Sequence, residues 1–148
     1  MASGKAVNAS RGWLLILFQA VAMANIADNT GTSPLTNLYV SLHTANPAAT
    51  GDQTTSECAY TGHARVAVVR TSSGWSRTNQ TMSNVGAITF PASSSGPETE
   101  TYFGIGSLSS GAGVLYYFGQ ITSPVSGLVV NDGVTPAFGA GALTVTEA

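Results

Sequence analysis

Few side chains in this chain are equipped for chemistry: two histidines, His43 and His63, a single cysteine, Cys58, and seven carboxylates. A zinc centre needs three or four convergent His, Cys or carboxylate ligands. His43, Glu57, Cys58 and His63 are the nearest approach to such a set, and their spacing matches no close-spaced motif, so no metal ligand is expected. His43 falls on the polar face of an alternating segment and reads as a surface or interface residue rather than a base. His63 follows Tyr60-Thr61-Gly62 and reads as a loop-to-strand corner. Cys58 reads as a small, partly buried loop residue rather than a nucleophile, because only two histidines are present to activate it. Glu98 and Glu100 share one strand face, but paired glycosidase carboxylates must converge across a cleft, so these two read as solvent-facing. Ser and Thr are abundant without a G-x-S-x-G elbow. Phe103-Gly104-Ile105-Gly106 is not a phosphate loop, since it lies in a strand pattern with no helix behind it. The expectation is a protein without catalytic residues, cofactor or metal, and not an enzyme.

The elements that place these residues are mostly strands. Leu38, Val40 and Leu42 alternate with Tyr39, Ser41 and His43, the period of a half-buried strand. Asn46 to Glu57 is a long polar loop. Ala64 to Arg70 follows with apolar residues on both faces, which predicts a central strand or one covered by a helix. Trp75–Thr81 is an expected edge strand, and Val85–Phe90, Thr99–Gly106, Val114–Gln120, Val125–Val130 and Ala142–Thr146 continue the series. Seven or eight short strands between turn signals predict an all-β fold, a β-sandwich or jelly roll.

One helix precedes them. Ser10 is the expected N-cap of a helix ending near Asn25 to Asn29, and Asn29 to Pro34 breaks it. Lys5, Arg11 and the apolar run from Trp13 to Ala24 imitate a secretory signal. The run is too short for a bilayer, which takes about 20 residues. It reads as a retained helix of the fold, so residues 1–34 are taken as a helical segment packed on a domain of residues 35–148. Leu14, Leu17, Phe18 and Val21 form one apolar stripe, and Trp13, Ile16, Ala20 and Met23 form a second beside it. A helix resting on one sheet needs only one stripe. The second predicts contact with another subunit.

Composition narrows the partners. Only 8% of the 148 residues are charged, against about 25% in ordinary domains, and the net charge is −2. With no basic run, nucleic acid is not an expected partner, nor is a membrane. The 43% hydrophobic content argues against disorder. It leaves a surface of Ser, Thr, Gly, Asn and Ala, which suits permanent contact with other subunits. Trp and Arg dominate binding hot spots, so Arg65, Arg70 and Trp75 join Trp13, Ile16, Ala20 and Met23 as candidate interface residues. Trp75 reads equally well as a lid on the core, and one of the two arginines is placed to pair with Asp52 or Glu57.

Several motifs recur in order in a known family. Leu38-Tyr39-Val40-Ser41-Leu42-His43-Thr44-Ala45-Asn46-Pro47, the loop Gly51 to Glu57, and Tyr60 to Ala67 resemble the opening of small virion proteins of tailed bacteriophages. Ile88-Thr89-Phe90-Pro91, Tyr102 to Gly106, and Pro136-Ala137-Phe138 to Val145 extend the match. His63 departs from the pattern, standing where an aromatic residue is expected. Members of this family are often labelled tail-fibre proteins. The resemblance implies a small jelly-roll protein that cements or decorates the phage head, made in the bacterial cytoplasm and bridging major capsid protein subunits, with copies of itself as further partners. The alternative is a tail or tail-fibre component involved in host attachment, ranked second because neither shaft repeats nor a coiled coil is present. A secreted carbohydrate-binding module ranks third.

Overall fold

The computed structural model describes residues 7–22 and 35–147. Met23, the expected helix end and the Asn29–Pro34 breaker lie outside the described residues. Among the described residues, one helix, α1 (Val7–Gln19), is followed by eleven strands: β1 (Asn37–His43), β2 (Val66–Val69), β3 (Trp75–Thr78), β4 (Thr81–Asn84), β5 (Ile88–Thr89), β6 (Glu98–Glu100), β7 (Tyr102–Gly106), β8 (Leu115–Gln120), β9 (Leu128–Val130), β10 (Ala137–Phe138) and β11 (Thr144–Thr146). The fold is therefore all-β with an N-terminal helix, its antiparallel sheets consistent with a sandwich. There are more strands than expected because long segments divide. Thr99–Gly106 is cut at Thr101, whose N–H turns to the His43 carbonyl (2.9 Å), so β6 and β7 join different sheets. Among the described residues no helix is long and apolar enough to cross a membrane.

The chain forms two compact units. The first contains α1 and the sheet β11-β4-β3. The first apolar stripe of the helix is buried through Leu14, Leu17 and Phe18, with α1 packed on β3 and β4. Phe18 meets Trp75 edge-to-face at 4.7 Å, and Trp75 is wholly buried. Met82, Leu143 and Val145 complete this core. Each such side chain stabilises by roughly 1.5–3 kcal/mol on burial.

Two helix expectations are corrected. Ser10 is not the N-cap: α1 begins at Val7, and Ser10 is buried within it. The helix stops at Gln19 because Ala20 turns left-handed (φ 54°), a conformation usually left to glycine at this position. The orphaned carbonyls of the last turn find a cation. Arg70 donates from Nε to Leu17 O (2.5 Å) and from Nη2 to Ile16 O (2.6 Å), and its Nη1 reaches Leu35 O (2.6 Å).

The second unit spans Asn37–Val68 and Ile88–Phe138. Its main sheet runs β2-β1-β7-β8, with the pairs β10-β5 and β6-β9. Val40 lies opposite Ile105 and Leu42 opposite Phe103 in register. Phe90, Phe138 and Phe103 stack edge-to-face at 6.0 Å each. Gly119 lies opposite Phe103, and a β-carbon there would stand 2.8 Å from the Phe103 ring. β2 is an edge strand rather than a central one, and its second apolar row, Ala67 and Val69, is exposed.

Candidate functional site

The polar residues of the second unit converge near the start of β6. After the 46–57 loop, Glu57 bridges to His43 and the Cys58 N–H bonds the Leu42 carbonyl (3.0 Å), placing both residues beside β1. A turn at Tyr60–His63 follows, in which Gly62 (φ 103°) leaves no room for a β-carbon: one would stand 2.7 Å from the Ala92 carbonyl. From the other side, β6 pairs with β9, Glu98 opposite Val130 and Glu100 opposite Leu128. Glu98 Oε1 accepts the Ala59 N–H at 2.8 Å, joining the two segments.

Arg65 anchors one end of the cluster. Its Nε and Nη2 grip Glu57 at 2.6 and 2.7 Å, Nη2 also lies within hydrogen-bond distance of the Gln53 and Gly111 carbonyls, and Nη1 donates to the Leu108 carbonyl. The expected pairing of an arginine with Glu57 is therefore present, but inside the unit, with the Arg65 side chain 2% exposed. His63 Nε2 lies 3.2 Å from Glu57 Oε1, and its Nδ1 lies 3.0 Å from Cys58 Sγ. Burial alone would raise the Glu57 carboxyl; hydrogen bonds from His63 and Arg65 and the Arg65 charge outweigh it and hold the carboxyl at about 2.

Cys58, His63 and Glu57 thus line up as thiol, imidazole and carboxylate, the order of a nucleophile, a base and an orienting acid. The thiol is nevertheless not activated. Cys58 is 4% exposed, and burial followed by the charges of Glu100, Glu98 and Glu57 raises its pKa far above the ordinary thiol range. A reactive thiolate needs the opposite surroundings.

Glu100 corrects another expectation. It is fully buried rather than solvent-facing, and both its carboxylate oxygens lack a hydrogen-bond partner among the described residues. Burial, then the neighbouring Glu98 carboxylate, pushes its pKa up to about 8. Its carboxylate, that of Glu98 and the Cys58 sulfur offer ligand atoms within 4.8 Å of one another. The shared parity of Glu98 and Glu100 was legible; what covers that face was not.

His43 is likewise buried, not on a surface. Its Nδ1 pairs with Thr55 O (2.9 Å) and its Nε2 with Ser41 Oγ (2.8 Å), and burial lowers its pKa. It stands outside the Cys58–Glu98–Glu100 group. Gln53 had no signal in its own segment, yet it is fully buried: its side-chain amide exchanges hydrogen bonds with Leu108 N–H (2.9 Å) and C=O (3.1 Å). Gly106 and Gly113 make the space, since a β-carbon at either would fall within 2.3 Å of the Gln53 side chain.

The candidate interface residues separate into two groups. Trp13 is 44% exposed and Ile16 half-buried on α1, and Ala20, just past the helix end, is half-buried. Arg65, Arg70 and Trp75 are buried within the chain, where they tie loops, cap the helix and fill the core.

No curated protein matches the chain. A family model described as Podophage GP4 fiber I protein gp80 matches residues 18–146, which takes in the Phe18–Trp75 contact, the buried polar cluster and all eleven strands. The chain belongs to this family of phage structural proteins.

Proposed function

We propose that this protein is a non-catalytic component of a phage fibre, acting in attachment of the virion to its host. The observation that carries the reading is the family match across residues 18–146. The surface supports it. With 8% charged residues and several of those buried, the exterior is built from short polar side chains. Apolar residues such as Val114 (54% exposed) and Val129 (46%) are also exposed on it. Such a surface associates through shape and short-range contacts rather than through a long-range field.

A second reading is retained for one feature, the accessible flank of α1 bearing Trp13 and Ile16. As a head cement or decoration protein, the chain would bridge major capsid protein subunits, with copies of itself as neighbours. A protein that binds only the assembled shell stabilises it by its own binding free energy. Repetition over a symmetric lattice adds avidity, so about 800 Å² per contact would suffice.

Imaging intact virions labelled with a specific antibody fragment tests both readings. Label at the tail or its fibres is the expected result. Label spread over the head in many copies would overturn the fibre reading in favour of decoration, and absence from permeable particles would overturn both.

A further inference from the structure

We infer that Cys58, Glu98 and Glu100 form a binding site for a single divalent transition-metal ion, with Zn²⁺ the ion that fits best. Three ligand atoms of different chemistry, one sulfur and two carboxylate oxygens, lie within 4.8 Å of one another. Ligands around a tetrahedral zinc, bound at about 2.0–2.3 Å, are separated by somewhat less than that, so small side-chain rotations close the site.

An independent observation comes from Glu100. It is fully buried, and neither of its oxygens has a hydrogen-bond donor among the described residues. A buried carboxylate set beside a sulfur and a second carboxylate, with no donor of its own among the described residues, is strongly unfavourable unless a cation or a proton stands between them. The surrounding residues are arranged as supports for such ligands. Glu98 is oriented by the Ala59 N–H at 2.8 Å, and Cys58 Sγ lies 3.0 Å from His63 Nδ1, itself steadied through Glu57. Metal ligands are commonly oriented in this way by a further hydrogen bond.

The donor set selects the ion. A thiolate disfavours Mg²⁺ and Ca²⁺, which take oxygen ligands, while two carboxylates disfavour Cu⁺; zinc accepts both types. Three protein ligands leave a fourth position, reached from the half-buried Glu98 side, for water or a donor from a partner. The role would be a clasp, joining the 57–63 turn to β6 across a long loop.

The test uses the full chain, stripped with chelator and then titrated. Calorimetry should show one Zn²⁺ per chain, and thermal unfolding followed by tyrosine near-ultraviolet circular dichroism should rise by about 5–10 °C at saturation. Co²⁺ should give a thiolate-to-metal charge-transfer band that Cys58→Ser abolishes. Glu98→Gln alters a more accessible residue and keeps the fold, and it should weaken Zn²⁺ binding by about 10- to 100-fold. The wild-type cobalt spectrum decides the matter even if Cys58→Ser fails to fold. Absence of the charge-transfer band in wild type, or Zn²⁺ binding unchanged by Glu98→Gln, would overturn the site. A wild type indifferent to metal, with a Glu100→Gln variant at least as stable, would assign the cluster instead to two carboxyl groups sharing a proton.

Discussion

Replacing Arg65 by methionine should loosen the second unit and flatten its response to acid. Methionine preserves the aliphatic length but removes both bonds to Glu57 and the donors to the Gln53, Leu108 and Gly111 carbonyls. Breaking a buried pair from one side leaves an uncompensated charge and typically costs about 3–5 kcal/mol. Glu57 supplies a related bound. A carboxyl held at about 2 in place of its ordinary 4.5, by His63 as well as Arg65 and still partly reached by solvent, is worth at most about 3 kcal/mol of stability at neutral pH. Because the folded pKa lies below the unfolded one, that contribution is complete above about pH 4.5 and is lost as pH falls towards 2. Wild type should therefore lose stability steeply through this window, and Arg65→Met should start lower and fall less. Intrinsic probes separate the units: all five tyrosines lie in the second, and both tryptophans in the first. Urea unfolding followed by tyrosine near-ultraviolet circular dichroism at pH 7 and pH 3 reads the effect directly. If the tyrosine transition is unmoved at pH 7, or wild type and variant lose equal stability between the two pH values, the Arg65–Glu57 pair does not hold the loops.

The remaining predictions concern single backbone-coupled contacts. Arg70→Met strips the donors from the Leu17, Ile16 and Leu35 carbonyls and should destabilise the first unit by about 3 kcal/mol, read by tryptophan fluorescence in urea. Ala20→Gly should stabilise that unit by about 1 kcal/mol, since Ala20 holds φ 54° at the helix end; an unchanged or lower midpoint counts against the left-handed cap. Gly104→Ala would set a β-carbon 2.6 Å from both His43 Nε2 and Ser41 Oγ, two groups fixed by their mutual bond. It should cost about 2–4 kcal/mol in the tyrosine-monitored transition, through overpacking and the lost hydrogen bond.

The strands were legible because their alternation is a local property. Leu38, Val40 and Leu42 point into the core as their parity requires. What parity cannot show is whether the opposite face meets solvent. Ser41 and His43 fall on the polar face, which reads as surface or interface, but the 46–57 loop folds over that face and Thr55 O accepts from the imidazole. The same omission misplaced Glu100: its parity with Glu98 was right, but Cys58 lies across that face, brought there from far along the chain. The helix end failed for a different reason. Stop signals are read from Gly or Pro, and here an alanine accepts the left-handed turn while Arg70 supplies the missing donors. Gln53 left its trace elsewhere, in the glycines at 106 and 113 that make its space.

The placement of charge inverts the usual reading of a sparsely charged chain. Charged side chains ordinarily occupy surfaces, where they confer solubility. Here Arg65, Arg70 and Glu100 are buried and Glu57 nearly so. Two of these charges bind carbonyls and carboxylates that would otherwise lack donors, so their worth lies less in net stability than in the single arrangement they permit. Arg65 illustrates the point. An apolar side chain could fill its volume, but only a planar donor array can bind Glu57 while also meeting carbonyls from the 46–57 loop and the β7–β8 loop. Loops of Ser, Thr, Gly and Asn bury too little apolar area to order themselves, so an interior cation supplies the order that their own side chains cannot. The exterior is left free to be neutral and polar, which a structural protein docking through close contact can use without the salt dependence of a charged interface.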